Sequence, residues 1–295
     1  HPRKLAFLAH LAHLPGTPGN RYSSQRAMVD VIIHNTCSRE RISPRFLPLI
    51  EAARTGMLAC CGARVRELRL QGSIARGDAQ VGHADLDMIA LLDGPPTANV
   101  NRCLEELAVS LGSRTNLVSR FDLDAIDGAG LEPFRRFVLA SDSLSLHGID
   151  SLTRPVQTIE RLALLRLVTP DPATMLPDCL GWVDDLASAD VAERRFASRV
   201  IGKDLLKVLR GVLLLRGAPY EVAIPRLAAQ VPYVAPEAAG VAERLFALYA
   251  APTVELEAIR AAINEMVRLL ERLPELALSP AVGGDDRAVL GNATQ

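Results

Sequence analysis

The sequence lacks two features that would mark a nucleic-acid or membrane protein. Its 33 basic and 34 acidic residues leave a formal net charge of -1, so no broad basic surface for nucleic acid is indicated, although a local basic groove stays open. No run approaches the roughly 18 apolar residues that a membrane-spanning helix needs. Internal repeats are also missing. The sequence therefore predicts a soluble, globular protein without a membrane or nucleic-acid partner.

Cysteine is scarce and scattered. The five cysteines are odd in number and contain no CxxC spacing, so neither a zinc site nor a disulfide framework is predicted, and buried free thiols are expected at Cys37, Cys60, Cys61, Cys103 and Cys179. The opening apolar run is short, is broken by His10 and His13, and lacks a cleavage pattern typical of a secretory signal. These features favour a cytoplasmic location.

With 295 residues, of which 49% are hydrophobic and 23% charged, the chain is long enough for two domains. Residues 44–150 alternate helical and strand patterns, whereas residues 151–280 carry apolar residues at helical spacing and no strand pattern after about Ser151. The predicted fold class is α+β: a mixed β-sheet with flanking helices, followed by an all-α helical bundle.

The two ends of the chain have sequence patterns that differ from those of the two predicted domains. Residues 1–43 are predicted to be a tail and a helical lead-in, with a helix over SSQRAMVDVIIHN capped by Ser24. Residues 281–295 lose the helical periodicity and are predicted to be a disordered tail.

The segment LQGSIARGDAQVGHADLDMIALL, residues 70 to 92, contains the candidate site residues of the first predicted domain. A strand stops at Gly72-Ser73, and a short helix can start there with free backbone N–H groups that hold phosphate oxygens. Gly72 permits close approach of a ligand, and Ser73 adds a hydroxyl donor. Arg76 can point either at phosphate or at Asp78. This turn is therefore a candidate nucleotide-binding element.

Two carboxylates follow on the next strand. Asp85 and Asp87 emerge on one face roughly 7 Å apart, and like charges this close raise each other's pKa unless a cation lies between them. Mg²⁺ prefers such oxygens, and two ions can clamp a phosphoryl displacement. A later strand offers a third carboxylate, Asp122 or Asp124, also on one face. Asp122 is favoured as a metal ligand.

The residues Gly72-Ser73, Ala75-Arg76-Gly77, Asp85-Leu86-Asp87 and Asp122 together resemble the signature of the DNA polymerase beta nucleotidyltransferase superfamily. The GSxARG form is similar to that of small bacterial enzymes that adenylylate aminoglycoside and lincosamide antibiotics. The resemblance covers residues 44 to 150 well, and the helical part only in kind. Ala84 departs from the pattern, because the family usually has serine there.

The resemblance implies transfer of a nucleoside monophosphate, AMP from ATP or the equivalent from another NTP, to a hydroxyl of a small-molecule acceptor, with release of pyrophosphate. Two Mg²⁺ ions, or Mn²⁺, would be held by Asp85, Asp87 and Asp122. Ser73 and the Gly72 backbone would hold phosphates, and Asp122 or Asp124 would bind metal or take the acceptor's proton. Two alternatives stay open: a protein acceptor, as in antitoxin-like nucleotidyltransferases, and an inactive nucleotide-binding scaffold.

Other residues have less specific patterns. Lys203, Lys207 and Arg210 recur along one helical face, either as a solvated stripe or as a face toward triphosphate. Trp182 either packs in a core or lines a pocket for a cationic acceptor. His83 and His147 are assigned no role. The acceptor, the choice of NTP and the oligomeric state are not determined by the sequence.

Overall fold

The computed structural model describes residues 30–276, and the predicted tails at residues 1–20 and 281–295, with the Ser24 cap, lie outside them. The strands are β1 Asp30–His34, β2 Val65–Gln71, β3 Asp85–Leu92, β4 Arg120–Asp127, β5 Ser143–Gly148 and β6 Val156–Glu160. The helices are α1 Leu47–Cys61, α2 Gly72–Arg76, α3 Ala98–Gly112, α4 Pro133–Ser141, α5 Arg161–Val168, α6 Pro172–Asp185, α7 Val191–Leu215, α8 Ile224–Val234, α9 Ala239–Ala250 and α10 Leu256–Leu276.

The central sheet has four strands in the order β4-β3-β2-β5. Strand β3 runs parallel to β4, and β2 runs antiparallel to both β3 and β5. The sheet is therefore mixed, and with its flanking helices and the helical segments after residue 160 it confirms the predicted α+β class.

One face of this sheet carries the main hydrophobic core. Leu68, Leu70, Leu86 and Met88 alternate along β2 and β3 and are almost fully buried. They form one cluster with the apolar sides of α1 and α3, including Ile50, Met57, Val100 and Leu104. Because side chains alternate between the faces of a strand, Asp85 and Asp87 point to the opposite face. That face is polar at this end of β3, whereas further along it Ile89 and Leu91 are buried in a second small cluster with Leu139.

A second sheet contains only β1 and β6, paired antiparallel. The helix predicted over SSQRAMVDVIIHN is wrong across residues 30–34, since β1 occupies them. Val31 and Ile33 are buried whereas Ile32 is 59% exposed, a period of two that suits β-branched residues in a strand. The predicted end of the strands near Ser151 is also wrong, because β6 follows it.

The chain divides into two compact units. Within the described range, one contains residues 30–170 and 206–236, and the other contains residues 171–205 and 237–276. The first unit holds both sheets, and the second is helical. The predicted boundary at residue 150 falls inside the first unit.

The first unit holds the end of α7 beside α5 through buried polar contacts. Arg161, at the start of α5, donates from Nη1 to the carbonyl oxygens of Leu214 and Ala218 at 3.0 and 2.9 Å. A buried guanidinium needs such acceptors, because an unpaired buried charge is costly. The segment after residue 205 is thus bound to the same unit as the strands.

A disulfide joins α1 to α3 through Cys60 and Cys103, whose Cα atoms are 5.7 Å apart. The expectation of free thiols at these two positions is therefore wrong. The two helices pack side by side on the same sheet face, which brings together cysteines 43 residues apart. Cys37, Cys61 and Cys179 are free thiols.

One segment, Pro44–Arg64, meets the length and hydropathy criteria for a membrane-spanning helix, with a mean hydropathy of 1.2. The expectation that no run would do so is corrected. The segment contains α1, whose residues Ile50, Ala53, Met57 and Cys61 are buried at helical spacing against the sheet. These four residues therefore belong to the core of the first unit, and 33% of the apolar window of the segment is buried.

Candidate active site

The Gly-Ser turn lies between the end of β2 and the short helix α2. Gly72 has φ 80°, a conformation that L side chains rarely adopt, and a Cβ built there would lie 2.4 Å from Oδ2 of Asp87. At the other end of α2, Gly77 has φ 79° and faces the carbonyl oxygen of Arg41 equally closely. Glycine is therefore required at both ends, and at Gly72 the reason is the approach of the backbone to a carboxylate.

Asp85 and Asp87 lie half-buried on the polar face of β3, while Leu86 and Met88 between and after them are in the core. In the sheet register Asp87 is beside Gln71 of β2 and Asp122 of β4. The predicted pair therefore shares one face, and the register places a third carboxylate next to it.

Strand β4 presents Asp122 and Asp124 on the same polar face. Asp122 pairs with Arg120 at 2.5 Å, whereas Asp124 pairs with Arg135 at 3.5 Å and accepts from the N–H of Ala125. Asp124 lies beside the apolar Ile89 of β3. Of the two candidates, Asp122 is the one adjacent to Asp87.

Asp85 has a different partner. The hydroxyl of Ser119 donates to Oδ1 of Asp85 at 2.6 Å and lies 3.3 Å from the carbonyl oxygen of Ala84. Ser119 directly precedes Arg120, the first residue of β4, so two consecutive residues contact two of the predicted carboxylates.

Within residues 30–276 no three acidic, histidine or cysteine side chains are gathered closely enough to hold a metal ion. The donor chemistry nevertheless fits Mg²⁺, which prefers carboxylate oxygens. Two structural observations agree with this: Asp122 is in register beside Asp87, and Gly72 leaves space where a Cβ would meet the Asp87 oxygen. In this arrangement Asp85 accepts a hydrogen bond from Ser119 on one oxygen, and Asp122 is paired with Arg120, which a cation at Asp122 would replace.

Arg76 is placed against carboxylates. Its guanidinium pairs with Asp78 at 3.2 Å, which was one of the two predicted alternatives, and with Asp142 at 2.7 Å. Burial lowers the pKa of Arg76, but the charges of Asp142 and Asp78 outweigh it and the net shift is upward. Arg76 therefore stays charged and joins α2 to the start of β5.

The residues around this ion pair form a buried polar cluster. Burial raises the pKa of the Asp142 carboxyl against the opposite influence of Arg76. Burial, followed by the charge of Asp142, also raises the pKa of the Cys37 thiol, whose sulfur lies 3.5 Å from Asp142 Oδ1. The cluster thus fixes the short helix that carries Ser73.

The other predicted residues occupy the helical segments. Lys203 and Lys207 are half-buried on α7, the first in the helical unit and the second in the unit with the sheets. Arg210 is buried and donates to the hydroxyl of Tyr220 at 3.2 Å, so it is not part of a solvated stripe. Trp182 is half-buried and packs edge-to-face on Phe196, which is 42% exposed, with ring centroids 6.3 Å apart, so this contact does not distinguish between its two predicted alternatives. A nucleotide role for Lys203 and Lys207 stays a prediction.

Gln71, Ser119 and Asp142 were not predicted from the sequence as residues in or around the site. Gln71 precedes the Gly-Ser turn, and its buried Oε1 atom has no hydrogen-bond partner among residues 30–276. Asp142 is 66 residues from Arg76, so no local pattern could pair them. Ser119 could have been noticed, because it directly precedes the strand that carries Asp122.

No protein-family model matches the sequence, and no curated protein matches it. A structural match is the crystal structure of spectinomycin adenyltransferase AAD(9) from Enterococcus faecialis with ATP and spectinomycin. That match has a TM-score of 0.47 and 11% sequence identity, and it covers 76% of this chain and 98% of the other.

Proposed function

We propose that this protein is a nucleotidyltransferase that moves a nucleoside monophosphate, AMP from ATP, to a hydroxyl of a small-molecule acceptor such as an aminoglycoside-like antibiotic. The proposal rests on one observation above all. Asp85 and Asp87 share a sheet face, Asp122 is in register beside Asp87, and Gly72 approaches the Asp87 carboxylate where no side chain could fit.

Aspartates at these strand positions are unfavourable for the sheet, although Arg120 and Arg135 pair with two of them. Aspartate is a poor strand former, and like charges on neighbouring strand positions destabilise a sheet. In β3 and β4 the aspartates alternate with buried or half-buried apolar residues, so the same strands that contribute to the core also present the acidic face. A divalent cation would offset the repulsion, and the chain has the oxygen ligands that Mg²⁺ requires.

Bound Mg²⁺ would supply charge neutralisation at the reacting phosphate. Asp85, Asp87 and Asp122 would hold it, and the Ser73 hydroxyl with the Gly72 backbone would hold the phosphates of the nucleotide. The acceptor's hydroxyl attacks the α-phosphorus, the bond to the β-phosphate oxygen breaks, and pyrophosphate leaves. Asp124 is 51% exposed on the same face and would take the hydroxyl proton through position rather than basicity.

A labelled-transfer assay tests the proposal. The full chain is incubated with Mg²⁺, an α-labelled nucleoside triphosphate and a panel of amino sugars, lincosamides and cell extract. Label on a small molecule supports the proposal, and label on a protein band would instead favour the protein-acceptor alternative. Nucleotide binding without transfer to any acceptor would favour the scaffold alternative.

The cytoplasmic location proposed from the sequence has one observation against it. Structural disulfides are rare in reducing compartments, and Cys60 is bonded to Cys103. Thiol titration of the protein isolated under non-reducing conditions addresses this point separately from the activity.

A further inference from the structure

We propose that the consecutive residues Ser119 and Arg120 control metal loading of the site, and that they do so in opposite directions. Ser119 is a positioning residue that orients Asp85 for the ion. Arg120 is an internal counter-ion that holds Asp122 until the ion replaces it. This inference rests on the proposed function, because it assumes that the carboxylates hold a divalent cation.

The first half of the inference follows from the hydrogen bonds of Ser119. Its hydroxyl donates to Asp85 Oδ1 at 2.6 Å, and its backbone N–H donates to the carbonyl oxygen of Ala84 at 2.8 Å. The backbone contact fixes where Ser119 lies relative to the start of β3. The hydroxyl contact then fixes one oxygen of Asp85, and hydrogen bonds of this kind orient a metal-binding carboxylate.

The second half follows from the position of Arg120 in the sheet. Arg120 lies opposite Asp85 in the register, two residue pairs before Asp87 and Asp122. Its Nη2 atom is 2.5 Å from Asp122 Oδ2, so its guanidinium is a positive charge beside the acidic face. A cation that binds to Asp122 must therefore compete with Arg120.

The magnitudes of the two effects differ. The Arg120–Asp122 pair has side chains 48% and 56% exposed, and exposed pairs of this kind are weak. Competition from Arg120 therefore lowers the metal affinity of the site only by a small factor. A hydrogen bond from an outer residue to a metal ligand typically affects metal affinity by about 10–100-fold. The Ser119–Asp85 bond is exposed, so the lower end of that range is expected, which still makes the effect of Ser119 the larger one.

The test is Mn²⁺ binding to the full chain without nucleotide, measured by electron paramagnetic resonance or calorimetry. Ser119→Ala is expected to weaken Mn²⁺ binding by about tenfold or more, and Ser119→Thr, which keeps the hydroxyl, is expected to restore most of it. Arg120→Ala is expected to tighten Mn²⁺ binding by about two- to fivefold. Arg135→Ala is the matched control, because Arg135 pairs with Asp124 rather than Asp122 and should leave the affinity within about twofold.

The possible outcomes distinguish a failure of this inference from a failure of the proposed function. If the wild-type protein binds Mn²⁺ but Ser119→Ala and Arg120→Ala change its affinity in the same direction, or not at all, the inference is overturned and the proposed function stands. Equal tightening by Arg120→Ala and Arg135→Ala would also overturn it, since the effect would then come from net charge. If the wild-type protein binds no Mn²⁺ even with nucleotide present, the proposed function itself is contradicted.

Discussion

A single nitrogen of Arg76, Nη1, lies 2.8 and 2.7 Å from the two carboxylate oxygens of Asp142. The side chains are only 11% and 12% exposed, and breaking such a pair by removing one partner typically costs about 3–5 kcal/mol. We expect Arg76→Met to lower the free energy of unfolding by that amount. The double variant with Asp142→Asn should be less destabilised than Arg76→Met alone, because it no longer buries an unpaired carboxylate. Urea unfolding of the wild-type protein, both single variants and the double variant checks this, and additive losses would contradict it.

The same pair gives a pH dependence with a definite sign. Burial raises the pKa of Asp142 above its ordinary value of 3.8 despite Arg76. A carboxyl with a raised native pKa contributes most to stability below pH 3.8 and loses that contribution as the pH rises through the native value. Arg76→Met removes the main lowering influence, so its destabilisation should grow as the pH rises. Unfolding measured over a pH series tests this, with the Asp142→Asn double variant as the control that should lack the trend.

The approach of Gly72 to Asp87 predicts an unequal cost for two similar substitutions. Gly72→Ala should destabilise the fold by more than about 1 kcal/mol because its φ is positive, and its Cβ would also push the Asp87 carboxylate out of place. Gly62 has a φ of 62° but nothing within 4 Å of a Cβ added at that position, so Gly62→Ala shares the backbone strain alone. We expect Mn²⁺ affinity to fall in the first variant only. Equal affinities in both would show that the close approach has no role in the site.

The register distinguishes the two candidate third carboxylates. Asp122→Asn should reduce nucleotidyl transfer by at least about 100-fold, since even outer-shell partners of a metal ligand cost about 10–100-fold. Asp124→Asn should preserve Mn²⁺ affinity, because Asp124 lies beside Ile89 rather than an aspartate. Steady-state rates and Mn²⁺ titrations of both variants decide the assignment. It is reversed if Asp124→Asn is the variant that loses the ion.

The disulfide predicts a thiol count. Of the five cysteines, Cys37, Cys61 and Cys179 are free, so unfolded, unreduced protein should titrate as three thiols and reduced protein as five. Burial raises the pKa of Cys179 to about 11, so this thiol should react slowly in the folded protein at neutral pH. With a sequence separation of 43 between the bonded cysteines, Cys60→Ser should cost about 4 kcal/mol in the chain-entropy description. Five reactive thiols before reduction would exclude the bond.

The parts of the fold that were predictable are those with strong periodicity. The alternation of Leu86 and Met88 with aspartates indicated β3 and its two faces, and the Gly72-Ser73 turn marked the end of β2 and the start of α2. The register that sets Asp122 beside Asp87 depends on which strands pair, and no local pattern contains that information. For the same reason the partnership between Arg76 and Asp142 has no signature in the sequence.

The errors had local causes. The apolar run MVDVII, which includes residues 30–33, is short enough to suit either a helical or a strand period. In the structure residues 30–34 form a strand because they pair with β6. The spacing of the cysteines along the chain says nothing of their distance in space. Their bond depends instead on the packing of α1 against α3, which spacing alone does not reveal.

The central claim is that the protein cleaves a nucleoside triphosphate between the α- and β-phosphates and transfers the nucleoside monophosphate to an acceptor. The most direct measurement compares ATP labelled at the α-phosphate with ATP labelled at the γ-phosphate, using the wild-type protein and Asp87→Asn with Mg²⁺ and the acceptor panel. We expect α-label on an acceptor and γ-label in pyrophosphate with the wild-type protein, and neither product with Asp87→Asn. Release of γ-label as inorganic phosphate, or equal transfer by the folded Asp87→Asn variant, would contradict the account.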